Sequence, residues 1–128
     1  MTQSDADAIR EVIEKAYIEG IHTTQDEAAI RSGFHPDFIM YVLRDNAIVK
    51  FTVDDWLPRV KQMKVSNPQL WLTKTRCTYR SLEIAGYTAM VEIDVFKGDT
   101  HFSTDFMLLY KFAEGWRIIS KTFSVPKQ

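Results

Sequence analysis

The sequence predicts an α+β fold in which N-terminal helices pack against a strongly bent antiparallel sheet. Apolar residues recur at helical spacing before about residue 65, and they alternate at strand spacing from Leu70 onward. Helices in one block and strands in another are typical of a sheet with helices on one face. The 128 residues contain no repeat or Gly/Pro-rich linker, so residues 1–128 are expected to form one domain.

The first segment has the pattern of an amphipathic helix. Ser4 offers an N-cap, and the apolar residues after it recur at spacings of three and four: Ala8, Ile9, Val12, Ile13, Ala16 and Tyr17. A second short helix is predicted within residues 23–34, with Thr24 or Asp26 as its N-cap and Gly33 as its stop.

Two strands and a further helix are predicted next. Residues 38–43 and 47–51 are β-branched and aromatic runs separated by a turn sequence, which indicates a hairpin. Residues 52–63 have the pattern of a helix whose N-cap is either Thr52 or Asp54.

The last part of the chain predicts an antiparallel meander. Turn signals at residues 85–86, 98–99 and 114–115 divide it into four long strands that begin at Leu70. Each strand is expected to pair with the next one along the chain.

Both faces of this meander are apolar, which predicts a homodimer. Between Val91 and Phe123, both alternating sets of side chains are rich in large apolar residues. A sheet covered on only one face would expose a larger apolar patch than monomers usually tolerate. The partner is therefore expected on the sheet face opposite the helices.

Charge and cysteine content restrict the class of protein. Sixteen Lys and Arg residues oppose seventeen Asp and Glu, so no positive field attracts nucleic acid or anionic lipid. The single cysteine, Cys77, forms no internal disulfide, and no zinc-binding spacing is present. The N-terminus lacks the apolar run of a signal peptide or membrane span. A cytoplasmic protein without nucleic-acid or membrane partners is expected.

Four strings follow one another along most of the chain: AYIEGIHTTQDEAAIRSGFHPDF, MVEIDVF, STDFMLLYKF and GWRIISKTF. Their order and content resemble the nuclear transport factor 2-like superfamily, and in particular its SnoaL-like and lumazine-binding-like branches. The resemblance implies a cone in which the bent sheet wraps around the helices and leaves a cavity at its wide end. It also implies frequent homodimers. Isomerases, cyclases, hydrolases and binding proteins share this fold, so fold alone selects no activity.

Turn length predicts which residues of neighbouring strands face each other. If residues 98–99 form a two-residue turn, Glu92 stands opposite Asp105. Like charges about 5 Å apart disfavour double ionisation, so this pair is a candidate general acid and base. The alternative is a compensated ion cluster, in which Arg80 faces Glu92 and a lysine neutralises Asp105.

The position of Lys121 depends on the last turn. A three-residue loop at residues 113–115 places Lys121 on the face of Asp105, diagonally across from it. A two-residue loop at 114–115 turns Lys121 away and places Trp116 on that face instead. Both alternatives stay open, and Lys121 is interpreted as a supporting or interface charge.

The resemblance adds a role for Tyr17 and Asp105. In the ketosteroid isomerase branch of the superfamily, a first-helix tyrosine and a strand carboxylic acid form an oxyanion hole. Tyr17 and Asp105 occupy comparable places in this sequence. The carboxylate base of that branch has no counterpart, because residues 38–42 read Phe-Ile-Met-Tyr-Val.

His35 is a further catalytic candidate, since it precedes Pro36 where a strand begins and would titrate near neutral pH. The alternative is a histidine that fixes the turn by hydrogen bonds. The predicted register would also place His101, Asp94 and Asp105 on one face, but no metal-binding motif supports a site there. No metal and no cofactor are predicted.

Aromatic residues make up 12% of the chain, and some are expected to line an apolar pocket. The candidates are Tyr41, Trp56, Tyr79 and Trp116. Because no complete catalytic set is present, the sequence predicts a protein that binds a small apolar ligand. The alternative is a SnoaL-like acid–base enzyme, an isomerase, cyclase or hydrolase of a small apolar substrate, that uses a carboxylate in the cavity.

Overall fold

The computed structural model describes residues 3–126 and confirms the predicted α+β fold. The helical elements are α1 (Asp5–Val12), a π-helical segment that continues it (Ile13–Thr24), α2 (Glu27–Gly33), α3 (Val53–Ser66) and α4 (Pro68–Trp71). The strands are β1 (Phe34–Arg44), β2 (Ala47–Phe51), β3 (Thr75–Ala85), β4 (Thr88–Lys97), β5 (Thr100–Phe112) and β6 (Gly115–Ser124). Among residues 3–126, no helix combines the length and the apolar character needed to cross a membrane.

The six strands form one curled sheet in the order β2-β1-β6-β5-β4-β3. The predicted meander from β3 to β6 is present, with antiparallel pairing throughout. The sheet is not wholly antiparallel, however, because β1 lies parallel to β6. Parallel neighbours need a long connection, and the intervening hairpin, helices and meander provide one.

Side-chain caps decide where two helices begin. Asp26 rather than Thr24 caps α2. Thr52 rather than Asp54 caps α3, and it forms a reciprocal capping box with Asp55. Both caps satisfy backbone N–H groups that the first helical turn leaves free.

The predicted start of the strand region at Leu70 is wrong. Leu70 and Trp71 lie in α4, and β3 begins at Thr75. Asn67 caps this short helix, and Pro68 occupies its first position, where a missing N–H costs nothing. Trp71 consequently approaches the sheet from the helical layer.

The π-helical segment changes which side chains point toward the sheet. Residues five apart point about 140° away from each other in an α-helix, but a π-helix has a wider turn that brings them to one side. Tyr17 and His22 are both buried, and their ring centroids lie 4.8 Å apart. The segment ends at Gln25, which adopts a left-handed conformation with φ 54°.

A bulge at Phe102 in β5 overturns the predicted opposition of Glu92 and Asp105. Phe96 pairs with His101 as expected, but the register then shifts by one residue between Val95 and Phe96. Ile93 therefore stands opposite Asp105. Because successive strand residues point to opposite faces, Asp105 faces inward and Glu92 faces outward.

A second bulge lies in β6. The turn is Ala113–Glu114, and Ile119 has no partner on β5. Trp116, before the bulge, and Lys121, after it, are both buried on the inner side of the sheet. Lys121 thus shares a face with Asp105, as the three-residue loop predicted. Trp116 also points inward, as the two-residue loop predicted, because the bulge between them changes the alternation.

Candidate functional site

The inner side of the sheet and the helical layer enclose a cavity of about 150 Å³. Its walls are mostly apolar and aromatic, and its lining residues are Tyr17, Ile21, His22, Met40, Trp56, Val60, Met63, Trp71, Phe102, Ser103, Lys121, Phe123 and Val125. A neighbouring recess of about 320 Å³ shares Met40, Trp56, Met63 and Phe123 with it. We call the first hollow the central cavity and the second the outer recess.

Asp105 lies behind the wall of the central cavity and is 0% exposed. The Tyr17 hydroxyl donates a hydrogen bond of 2.5 Å to Asp105 Oδ2, and Lys121 Nζ lies 4.0 Å from the same oxygen. Asp105 Oδ1 has no hydrogen-bond partner among the described residues. One carboxylate thus holds both a tyrosine and a lysine of the cavity wall.

Burial, followed by the negative charge of Asp105, raises the pKa of Tyr17 well above its ordinary value. The phenol therefore stays protonated and keeps donating to Asp105. Burial lowers the pKa of Lys121, and the charge of Asp105 opposes that effect. The arrangement supports the interpretation that a lysine compensates Asp105.

Lys121 is also surrounded by aromatic rings. Its Nζ lies 4.4 to 5.0 Å from the ring centroids of Tyr17, Trp56 and Phe123. Such cation–π contacts partly replace the hydration that burial removes. The nearest hydrogen-bond acceptor is the weakly accepting sulfur of Met40, at 3.8 Å.

His22 and Ser103 are buried polar residues of the cavity wall without partners. Neither ring nitrogen of His22 nor Oγ of Ser103 has a hydrogen-bond partner in the described part of the chain. Burial, and then the charges of Lys97 and Lys121, lower the pKa of His22 well below its usual range. His22 is therefore a neutral imidazole at neutral pH.

Lys97 is a second buried cation near His22. Its Nζ donates to Thr75 Oγ1 at 2.9 Å and lies 3.9 Å from the ring centroid of Trp71, which lines the cavity. Burial, and then the charge of Lys64, lower its pKa to about 8. Among residues 3–126, no carboxylate forms an ion pair with Lys97.

Glu92 belongs to an ion cluster on the outer face of the sheet. Arg80 Nε lies 3.0 Å from a Glu92 oxygen, and Arg80 also approaches Asp94 at 3.7 Å. His101 lies 3.2 Å from Asp94. The sheet separates Asp94 and His101 from Asp105, and within residues 3–126 no three metal-ligating side chains converge.

The remaining sequence candidates lie mostly outside the cavity wall. His35 Nδ1 accepts the N–H of Asp37 at 3.0 Å, so this histidine fixes its turn. Trp56 lines the central cavity, whereas Tyr41 is exposed on the opposite side of β1 from Met40.

Tyr79 and Trp116 are held elsewhere by hydrogen bonds. The Tyr79 hydroxyl donates to Glu14 at 3.1 Å, and Trp116 Nε1 donates to Asp5 at 3.1 Å. Both acceptors lie on the N-terminal helix, away from the residues that line the central cavity.

Sequence analysis singled out Tyr17 and Asp105 but missed His22, Ser103 and Lys97. The signal for His22 was its spacing of five from Tyr17, which an α-helical pattern places on another side. Ser103 lies two residues before Asp105 on β5 and shares its face by strand alternation, so the position of Asp105 was the signal for it.

We predict that Asp105→Asn destabilises the protein far more than Glu92→Gln. The first change leaves the buried Lys121 charge without its anion, which costs about 3–5 kcal/mol. The second removes a partly exposed ion pair worth about 0–1 kcal/mol. Denaturant unfolding at neutral pH measures both variants, and equal losses would contradict the assignment of the two faces.

We also predict that His22 makes stability fall on acidification. Because its folded pKa lies below the unfolded value of about 6.5, the unfolded chain takes up the proton first. The free energy of unfolding therefore decreases as pH falls below about 6.5, by up to about 1.4 kcal/mol per pH unit.

Thermal unfolding of the wild-type protein and of His22→Phe between about pH 5 and pH 7.5 measures this contribution. The variant should lose the slope that His22 supplies, because His35 and His101 are present in both proteins. Identical pH profiles would show that His22 is not a buried neutral histidine.

Comparisons with known proteins agree with this architecture. A family model described as "putative lumazine-binding" matches residues 4–124. An NTF2-like protein of unknown function from Shewanella baltica OS155 is 21% identical, with a TM-score of 0.73 and full coverage of both chains.

Two further solved structures have the same fold. An NTF2-like protein of unknown function from Silicibacter pomeroyi DSS-3 is 16% identical, with a TM-score of 0.75, over 98% of this chain and 100% of that one. A domain with a cystatin-like fold from Nostoc punctiforme PCC 73102 is 14% identical, with a TM-score of 0.67, over 100% and 81%. No curated protein sequence is significantly similar. The solved structures share the fold of this chain, and the match over residues 4–124 shows that the chain belongs to the putative lumazine-binding family.

Proposed function

We propose that the protein binds a small, largely apolar molecule in the central cavity. The observation that carries this proposal is a hollow lined by aromatic rings and by the polar residues His22 and Ser103, which have no hydrogen-bond partners among residues 3–126. Apolar walls with a few placed polar groups are the usual composition of small-molecule sites. The family description, which names lumazine as a ligand, supports a binding role.

The outer recess supports the same proposal by adding volume. Typical ligand pockets have roughly 300–1,000 Å³, and the central cavity alone is smaller. Phe123 and Met63 belong to the walls of both hollows, so movement of these two side chains would join them. A ligand would enter from the outer recess and place one end in the central cavity.

The geometry gives less support to acid–base catalysis by Asp105. Asp105 does not line the central cavity, and its Oδ2 already accepts the Tyr17 hydroxyl. A general base must reach the proton that it abstracts, directly or through one water. We therefore assign Asp105 to holding Tyr17 and Lys121 in place.

Homodimerisation through the outer face of the sheet is part of the proposal. Phe106, Leu108 and Tyr110 alternate along β5 on that face, and each is 47% to 49% exposed. An apolar strip in the middle of a sheet favours burial against a second copy.

A cytoplasmic location, predicted from the lone Cys77, also remains a proposal.

Ligand binding is tested by NMR titration with benzyl alcohol, a neutral aromatic probe. The chain has three tryptophans, of which Trp56 and Trp71 line the central cavity and Trp116 does not. We expect the indole N–H resonances of Trp56 and Trp71 to shift and that of Trp116 to stay in place.

A cavity-filling variant provides the matched control. Val60→Phe adds volume inside the cavity wall and should abolish the shifts, whereas Ile48→Phe, at an exposed position of β2, should leave them intact. Shifts that are absent in the wild-type protein, or that persist in Val60→Phe, would contradict binding in the central cavity.

The dimer is tested by light scattering at micromolar concentration. We expect twice the chain mass of 14.9 kDa for the wild-type protein. Leu108→Lys should produce a monomer, because it buries a charge at the proposed interface, and Val65→Lys on α3 should not. A monomeric wild-type protein would exclude this interface.

A further inference from the structure

We infer that the ligand of the central cavity is a small aromatic monoanion, such as an arene carboxylate, with its anionic group at His22, Ser103 and Lys121. This inference rests on the proposed function and adds the charge and chemical class of the ligand. It is carried by the balance of buried charge, by the unpaired polar atoms and by the aromatic walls.

Buried charge around the cavity is unbalanced. The buried charged side chains among residues 3–126 are Asp105, Lys97 and Lys121, so two cations oppose one carboxylate. Lys121 lies 4.0 Å from Asp105, whereas no carboxylate among residues 3–126 forms an ion pair with Lys97, whose Nζ contacts a hydroxyl and aromatic rings. One positive charge is therefore uncompensated in a region of low dielectric. A single negative charge in the cavity would restore neutrality.

The unpaired polar atoms can receive such a charge. Ser103 Oγ and one ring nitrogen of the neutral His22 are donors without acceptors, and both residues are only 2% exposed. Lys121 Nζ has N–H groups to spare, because its described contacts are a thioether and a carboxylate oxygen at 4.0 Å. Unpaired buried donors are costly, and an anionic oxygen accepts from all three groups.

The remainder of the cavity favours an aromatic body. Five aromatic rings line it, those of Tyr17, Trp56, Trp71, Phe102 and Phe123. Aromatic pairs prefer offset-stacked or edge-to-face contacts, which this arrangement of rings offers to a flat ligand. A cationic ligand would be repelled by Lys97 and Lys121, and a dianion would reverse the imbalance of charge.

The test compares benzoate with benzamide, a neutral molecule of nearly the same shape, and with benzyl alcohol. Binding is followed through the indole N–H resonances of Trp56 and Trp71, with Trp116 as the internal reference for surface binding. We expect benzoate to bind roughly tenfold to a hundredfold more tightly than benzamide. The reason is that an anion accepts stronger hydrogen bonds from charged and polar donors than a neutral amide does.

Two variants test the polar end. Lys121→Met should remove the preference for benzoate over benzamide, but it also disturbs the contact with Asp105. Ser103→Ala removes a hydroxyl whose Oγ has no hydrogen-bond partner within residues 3–126, so the fold should be retained. It should weaken benzoate about tenfold, because the anionic group loses one of its hydrogen-bond donors.

The outcomes separate the two proposals. If benzyl alcohol binds in the cavity and benzoate binds no more tightly than benzamide, the anionic class is wrong and the proposed function stands. An unchanged benzoate affinity in Ser103→Ala would likewise overturn the assignment of the polar end. If none of the three probes shifts Trp56 and Trp71, both the proposed function and this inference fail.

Discussion

The interior of this protein depends on a single buried carboxylate. Asp105 is fully excluded from solvent and is held by the Tyr17 hydroxyl at 2.5 Å and by Lys121 at 4.0 Å. An ionised carboxylate is expensive to bury unless it is paired and hydrogen-bonded, so these three residues must remain together. They come from the π-helical segment, from β5 and from β6, which ties the helical layer to the centre of the sheet.

Three departures from regular structure bring these residues together. The π-helical segment turns Tyr17 and His22 to the same side, and the two bulges decide which residues of β5 and β6 face inward. Each departure shifts the chain by about one residue. Their combined effect is a mostly apolar cavity wall that also contains the polar groups of His22, Ser103 and Lys121.

Local signals were sufficient to predict the order of the elements apart from α4, which was read as the start of a strand. Capping residues such as Thr52 and turn sequences such as Asp45-Asn46, where both residues adopt left-handed φ angles, act within a few positions of the chain. Strand register is different, because a bulge forms where it improves burial across the whole sheet. Regular alternation therefore paired Glu92 with Asp105, although the bulge at Phe102 in β5 places them on opposite faces.

The candidate site was predictable to the extent that it follows the family pattern. Tyr17 and Asp105 were identified through the resemblance, and the structure places them in direct contact. His22 was not identified, because its inward orientation depends on the π-helical turn. Ser103 was not identified either, although it shares the face of Asp105 by alternation along β5. The compensating role of Lys121 could be stated only as one of two alternatives until the register of β6 was known.

The contact between Tyr17 and Asp105 is tested most directly by proton NMR in water. A buried hydroxyl that donates a short hydrogen bond to a carboxylate exchanges slowly, and its proton resonates downfield of the amide region. We expect such a resonance in the wild-type protein and its loss in Tyr17→Phe. If the wild-type spectrum lacks it and Tyr17 titrates near the ordinary tyrosine pKa of about 10, then Asp105 does not organise this interior.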